Sequence, residues 1–228
     1  MADLHVGAPY RDLRNLKEVV AATNAEKPDL VVILGDFVIQ GVIGGRFVDP
    51  EPIADELAGL QATLGVVAVL GNHDWWYNGN RVRHALESHA IQVLENQSIR
   101  VTHHGASFWL CGLADLLTRG DGLAQTLANI EDGEPVLVLM HNPDIFPEIP
   151  ERVSLTLAGH THGGQVNLPI VGRPIVPSKF GQRYAYGLVE DSGKKLFVTG
   201  GVGTSILPVR FRVAPEIVIL KLVTEMDR

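Results

Sequence analysis

The chain has 228 residues, 46% of them hydrophobic, enough for one well-packed domain and short for two. Nineteen Lys and Arg against 26 Asp and Glu give a net charge of −7, which argues against a general nucleic-acid binder held by phosphate contacts and leaves room only for a local basic patch. A single cysteine, Cys111, excludes any intrachain disulfide, and no apolar run is long enough to span a membrane.

Apolar residues at Leu13, Leu16, Val19 and Val20 predict a helix over 13–25. Pro28-Asp29 stops it and opens 30–34, a β-branched and leucine run typical of a buried strand, with Gly35-Asp36 at its end. The pattern repeats: 52–64 reads as helix, 66–70 as buried strand, and Gly71-Asn72-His73-Asp74 lies just past it. A helix over 81–89 and strands at 92–94, 99–102 and 107–113 follow, then a helix at 123–130 and a strand at 135–140. The Gly- and Pro-rich last third offers strands at 154–157, 187–190, 196–199 and 216–222. Strand–helix alternation followed by strands predicts two stacked mixed sheets flanked by helices, in one domain over 1–228.

Five segments hold the candidate ligands: Asp3-Leu4-His5, Gly35-Asp36, Gly71-Asn72-His73-Asp74, Met140-His141-Asn142 and Gly159-His160-Thr161-His162. Four of them follow an apolar run directly, and the carboxyl ends of strands are where open α/β sheets gather their sites. Carboxylate, imidazole and amide oxygen suit Mn, Fe, Zn or similar ions, and one cysteine cannot make a thiolate site. Asp3 and His5 are two apart, as are His160 and His162, and in extended backbone such pairs point to one side. The glycines at 35, 71 and 159 are expected to let the chain turn sharply before each ligand.

Single residues of these types are more often surface or turn residues. On that ground His84, His89, His103 and His104 are set aside, the last two as neighbours at a hairpin turn whose side chains diverge. Asp115, Asp121 and Asp132 read as ordinary loop carboxylates, and Cys111 as a buried, inert thiol.

Together, Asp3-x-His5, Gly35-Asp36, Gly71-Asn72-His73-Asp74, His141 and Gly159-His160-Thr161-His162 resemble the full motif set of the calcineurin-like metallophosphoesterases, from Asp3 to at least His162. The tail, with Gly201-Val202-Gly203-Thr204-Ser205 and Leu207-Pro208-Val209-Arg210-Phe211, resembles a small bacterial phosphodiesterase-like branch. The resemblance implies an α/β four-layer sandwich and two divalent or trivalent metal ions per chain. Asp3, His5 and His162 would hold the first ion, Asp36 would bridge both, and Asn72, His141 and His160 would complete the second. His73 would contact the phosphate and protonate the leaving oxygen, and Asp74 would orient His73 by accepting its other ring proton.

The implied function is a phosphodiesterase acting through metal-activated hydroxide on a phosphoester substrate. Hydrolysis of the pyrophosphate of UDP-2,3-diacylglucosamine is the alternative, with Trp75, Trp76 and Tyr77 either lining an apolar groove or packing a loop. A non-catalytic, metal-stabilised scaffold is the alternative of another class. Arg210 is set either against substrate phosphate or in a surface ion pair, with Gln165 and Arg173 as weaker cases, and 163–177 as a lid or pocket edge.

Only Met1 and Ala2 precede Asp3, so its strand is either very short or the sequence starts inside a longer protein. The second case leaves room for a membrane anchor or targeting segment lost with the strand, and so for membrane association; as given, without a signal peptide, the sequence reads as cytoplasmic. An exposed strand edge there would pair two copies into a homodimer.

Overall fold

The computed structural model describes every residue except Tyr10, Asp121, Asn129, Glu131, Asp132 and 224–228, so the loop carboxylates Asp121 and Asp132 lie outside the described residues. Helix α1 (Leu13–Ala25) starts at a reciprocal cap: Asp12 accepts from the Asn15 N–H at 3.0 Å, and the Asn15 side chain accepts from the Asp12 N–H at 3.3 Å. Strands β1 (Val31–Leu34), β2 (Val66–Val69) and β3 (Ile91–Val93) form a parallel sheet in that order. Helices α2 (Pro50–Leu57), α3 (Asn72–Tyr77) and α4 (Gly79–Glu87) fall between them. The second helix ends seven residues before the expected 64, because Gly59 follows its cap and the chain turns back toward Asp29.

A second, mixed sheet has the order β4-β5-β6-β7-β9-β8. It comprises β4 (Gln97–His103), β5 (Ala106–Gly112), β6 (Val136–Leu139), β7 (Leu155–Ala158), β8 (Gly187–Asp191) and β9 (Lys194–Val198). The β4–β5 and β8–β9 pairs run antiparallel and the rest parallel, with α5 (Leu123–Leu127) crossing from β5 to β6.

Period-two alternation assigns each strand two faces. Val31 and Ile33 meet Leu16 and Val20 of α1, Ile53 and Leu57 of α2 and Leu86 of α4. Leu34, Val67 and Val69 turn the other way, onto Leu110, Leu137, Leu139 and Leu157 of the second sheet. The outer face of that sheet packs Val138, Leu196 and Val198 against Leu127, Phe146 and Tyr184. The result is the expected four-layer α/β sandwich, each fully buried aliphatic side chain contributing roughly 1.5–3 kcal/mol.

Residues 1–6 complete the smaller sheet at the β1 edge. The Met1 amine donates to Val32 O (2.9 Å), and the N–H groups of Asp3, His5 and Val6 donate to Gly35, Asp36 and Phe37 O, each at 3.0 Å. On the other side, Val202 N–H donates to Ala2 O and Gly203 N–H to Asp3 O. Very little strand therefore suffices to seat Asp3 and His5, because the segment is held from both flanks.

The strand expected at 216–222 is not formed: the segment has no ladder partner among the described residues and leaves Ile219 and Leu222 exposed. Its alternating apolar pattern reported a propensity, and a strand also needs a neighbour. No helix among the described residues is long and apolar enough to cross a membrane.

Candidate metal centre

Asp36 follows β1, Asn72 opens α3 after β2, His141 follows β6, and His160 and His162 follow β7. The carboxyl ends of strands from both sheets thus deliver these side chains to one place, and Asp3 and His5 reach it from beside β1. The pairs two apart are not in extended backbone as expected. Asp3 (φ 53°), His5 (42°), Asp36 (58°), His160 (69°) and His162 (51°) all sit in the left-handed region. Asp and His tolerate that conformation better than most residues, and such strain gathers at functional sites.

Of the glycines expected to turn the chain, Gly35 does so, whereas Gly71 is in extended backbone. Gly35, at φ 86°, needs the left-handed turn, but at Gly71 the requirement is space, since a Cβ there would collide with Asp36 Oδ1.

The structure brings all seven expected ligand side chains together, each 7% exposed or less. One ligand atom from each of Asp3, His5, Asp36 and His162 lies within 4.8 Å of the others, and Asp36, His141 and His160 form a second such group. Asp36 belongs to both: its Oδ2 is 3.4 Å from His5 Nε2 and 3.3 Å from His141 Nε2. The Nε2 atoms of His5 and His162 are 3.1 Å apart, and so are His160 Nδ1 and His141 Nε2. Asn72 Oδ1 joins the second group, 3.1 Å from His141 Nε2.

His141 Nδ1 lies 2.7 Å from Leu34 O, which fixes its N–H there and turns Nε2 into the cluster. One ring nitrogen facing a carboxylate, an amide oxygen and a second imidazole cannot satisfy all three by hydrogen bonding, so this donor set fits a cation.

Electrostatics agree. Burial lowers His5 to about 4, His160 to about 3 and His162 well below its usual 6.5, leaving neutral rings with free lone pairs. Burial also acts against charge on His141, but Asp36, then Asp3 and Asp115, outweigh it and raise His141 to about 10. Asp36 is held well below the carboxylate range, its burial overcome by His141 and His5. Burial lifts Asp3 to about 7.

His73 packs edge-on to His5, with ring centroids 4.7 Å apart, and its backbone N–H donates to Asp36 Oδ1 at 2.9 Å. Burial first, against Asp36 and Asp115, holds it below 6.5. Asp74 does not orient it. The Asp74 carboxylate accepts backbone N–H groups of Asp36, Phe37, Val38 and Gly71, and His73 Nδ1 has no partner among the described residues. Asp74 instead pins the loop after β1 to the loop after β2. Burial and the Asp36 charge raise it to about 7, against the Gly71 and Val38 donors.

Asp115, read from sequence as an ordinary loop carboxylate, is 1% exposed, with Oδ2 bonded to Thr118 and Oδ1 unpartnered among the described residues. The signal that could have found it is the one used elsewhere: it closely follows a buried strand, β5, beside β6 and His141. Arg210 is half-buried and forms no surface ion pair among the described residues, and its Nη1 has no partner there. Its Nε donates to Gly203 O (2.9 Å) and a terminal nitrogen to Gly200 O (2.7 Å), bracing the turn that backs Asp3.

Gln165 bonds Ser205 and Leu207, and Arg173 bonds Gly163 O, so both tie loops together. Trp75 and Tyr77 pack on the first core, whereas Trp76 is 57% exposed with its ring 4.8 Å from that of His73. Cys111 is buried and its thiol pushed up to about 12 by burial, hence inert. His89 pairs with Asp55 and His103 with Asp29, away from the site. The rings of His103 and His104 are 4.0 Å apart rather than divergent, since the hairpin turn at His104 folds one toward the other.

A model of the calcineurin-like phosphoesterase family matches residues 1–164. The chain is 31% identical to the uncharacterized metallophosphoesterase YkuE of Bacillus subtilis (strain 168) over 225 residues, 97% of this chain and 77% of that one. It is 32% identical to phosphodiesterase YaeI of Escherichia coli (strain K12) over 227 residues, 98% of this chain and 80% of that one. Among solved structures, the calcineurin-like phosphoesterase YfkN from Bacillus subtilis gives a TM-score of 0.51 at 10% identity, covering 86% of this chain and 85% of that one. The NAD nucleotidase of Haemophilus influenzae gives 0.51 at 16% identity over 83% of this chain, which spans only 44% of that protein. These two likenesses show the fold alone.

Proposed function

This chain belongs to the calcineurin-like phosphoesterase family and is a metal-dependent phosphoesterase, and within that class we propose that it is a phosphodiesterase with a dinuclear centre. The observation that carries the reading is the shared carboxylate, Asp36, whose Oδ2 lies 3.4 Å from a nitrogen of one cluster and 3.3 Å from a nitrogen of the other. Asp3, His5, Asp36 and His162 would hold one ion, and Asp36, Asn72, His141 and His160 would hold the second. Mn, Fe or Zn suits these donors. When bound, two ions supply Lewis acidity to the attacking and leaving oxygens of a phosphoryl group, and hydroxide at neutral pH.

His73 donates the proton to the leaving oxygen, held in place by its backbone bond to Asp36. Asp74 keeps Asp36 and His73 in register by clamping both loops. The resemblance to a relative named as a phosphodiesterase supports the diester preference. That residues from both sheets line one centre supports reading 1–228 as one domain.

The test is hydrolysis of bis(p-nitrophenyl) phosphate and p-nitrophenyl phosphate by protein loaded with Mn, Fe or Zn. Turnover of the diester is expected to exceed that of the monoester, and His73→Ala is expected to lower it about 100-fold or more with metal content unchanged. No hydrolysis of either ester sinks the reading, and unchanged turnover in His73→Ala removes the role of His73. Exposed Trp76 beside His73 favours a second reading, cleavage of the UDP-2,3-diacylglucosamine pyrophosphate, because it offers an apolar wall next to the phosphate position. Mass spectrometry of the products with that substrate separates the two.

A further inference from the structure

Three loops meet at the rim of the metal centre and are tied side by side. The Ile43 N–H donates to Ile206 O, Val166 and Phe211 form a bridge, and the Gln165 side chain bonds Ser205 and Leu207. Two of them start at the site, since the first residue after His162 opens one loop and Gly203, at the start of another, packs on Asp3 and His5, and the third is tied to the latter through Ile43. Their outer ends are aliphatic. Ile170 is fully exposed, and Ile43, Ile175 and Ile206 are 63%, 73% and 65% exposed. Single exposed aliphatics are ordinary, but a cluster carried by adjoining loops marks an interaction surface.

Two further observations say what kind of surface it is. Ile170 and Ile206 stand at φ 70° and 60°, a conformation in which a β-branched side chain is a genuine outlier. Gly or Asn would fit both turns with less strain, so the sequence retains isoleucine there at a cost to stability. The segments 39–48, 163–176 and 203–213 also hold Arg46, Arg173, Arg210 and Arg212 and no Asp or Glu, in a chain of net charge −7. Arg46 and Arg212 are exposed and pair with no carboxylate among the described residues.

We propose that this rim is a docking surface for an anionic lipid bilayer, with Ile170 and Ile206 as the inserted tips and the exposed Arg46 and Arg212 against the headgroups, so that the metal centre opens toward the membrane plane. Aliphatic tips backed by arginines on an otherwise acidic molecule match the two forces that hold peripheral proteins to anionic lipid, apolar burial and charge. The proposal concerns binding and stands whether or not the phosphodiesterase reading does.

The experiment is flotation of the 228-residue chain with phosphatidylcholine vesicles with and without phosphatidylglycerol. The wild type is expected to float with the phosphatidylglycerol vesicles, less so at high salt. The double variant Ile170→Asn, Ile206→Asn is expected to bind at least about tenfold more weakly. It should also melt no lower than the wild type, since asparagine relieves the left-handed strain, and turn over a water-soluble phosphoester unchanged. That pairing of lost binding with retained or raised stability is what a merely structural role for these residues does not give. The proposal is overturned if the wild type floats with neither vesicle or if the double variant binds as the wild type does. It is also overturned if light scattering shows a wild-type dimer that the double variant converts to monomer, which would make a second copy the occupant.

Discussion

Replacing Asp74 by alanine removes the acceptor that joins the two central loops of the site. Its two oxygens take N–H groups from Asp36 (2.9 Å), Phe37 (2.9 Å), Val38 (3.2 Å) and Gly71 (2.9 Å), and the residue is fully buried. Alanine strands four donors where water does not reach. At the lower bound of ~1 kcal/mol for each orphaned buried donor, the loss is about 4 kcal/mol. Domains are stable by roughly 5–15 kcal/mol, so such a loss takes a large share of the total. Asparagine keeps one accepting oxygen and turns its NH2 toward the other two donors, so about half the effect, ~2 kcal/mol, is expected from Asp74→Asn. The measurement is urea unfolding of the metal-free chain, followed by tryptophan fluorescence and circular dichroism. Wild type, Asn and Ala should fall in that order with a common m value. An alanine variant within about 1 kcal/mol of wild type would refute the idea that these four bonds hold the loops. Because Asp36 is positioned through the same carboxylate, the folded fraction of the alanine variant should also bind both metal ions more weakly.

Metal binding should expel a proton in the alkaline range. His141 is raised to about 10, so near pH 8 it is protonated in the metal-free protein, and a ligand must be deprotonated. Titration calorimetry in buffers of different ionisation enthalpy should find close to one proton released, and none released would refute the assignment of His141. The same shift gives a stability sign: a raised folded-state value contributes fully below 6.5 and is lost as pH climbs through about 10. Chelated protein should therefore lose melting temperature between pH 8 and 10 relative to metal-loaded protein. Arg210→Lys should lower the melting temperature and the affinity for one of the two ions, because a lysine cannot brace Gly200 and Gly203 together. A selective rise in KM with both ions retained would instead place Arg210 on the substrate.

Much of the fold was legible because its signals are local. The apolar runs before Asp36, Asn72 and His141 are strands whose ends can be read to within a residue or two, and α1 carries its own cap and apolar stripe. The tail at 216–222 departs from its pattern for the same reason in reverse, since alternation is visible in the sequence and the lack of a neighbour is not. The left-handed backbone of His160 and His162 was equally out of reach, because nothing in the letters distinguishes it from extended chain. Convergence survived that error, since both conformations lie at the end of the same strand.

Residue chemistry and order along the chain pointed to the five segments that gather and to the class of ion they suit, because four of the five end a strand defined by its own neighbours. What they do to one another was decided by tertiary structure. Asp74 serves backbone groups more than 30 residues away rather than the adjacent histidine, Asp115 is drawn into the interior, and residues 1–6 are seated between β1 and the turn at Gly201–Gly203. A hydrogen-bond partner or a buried charge depends on which distant segments pack together, and that information is carried by the sandwich as a whole rather than by any stretch of sequence.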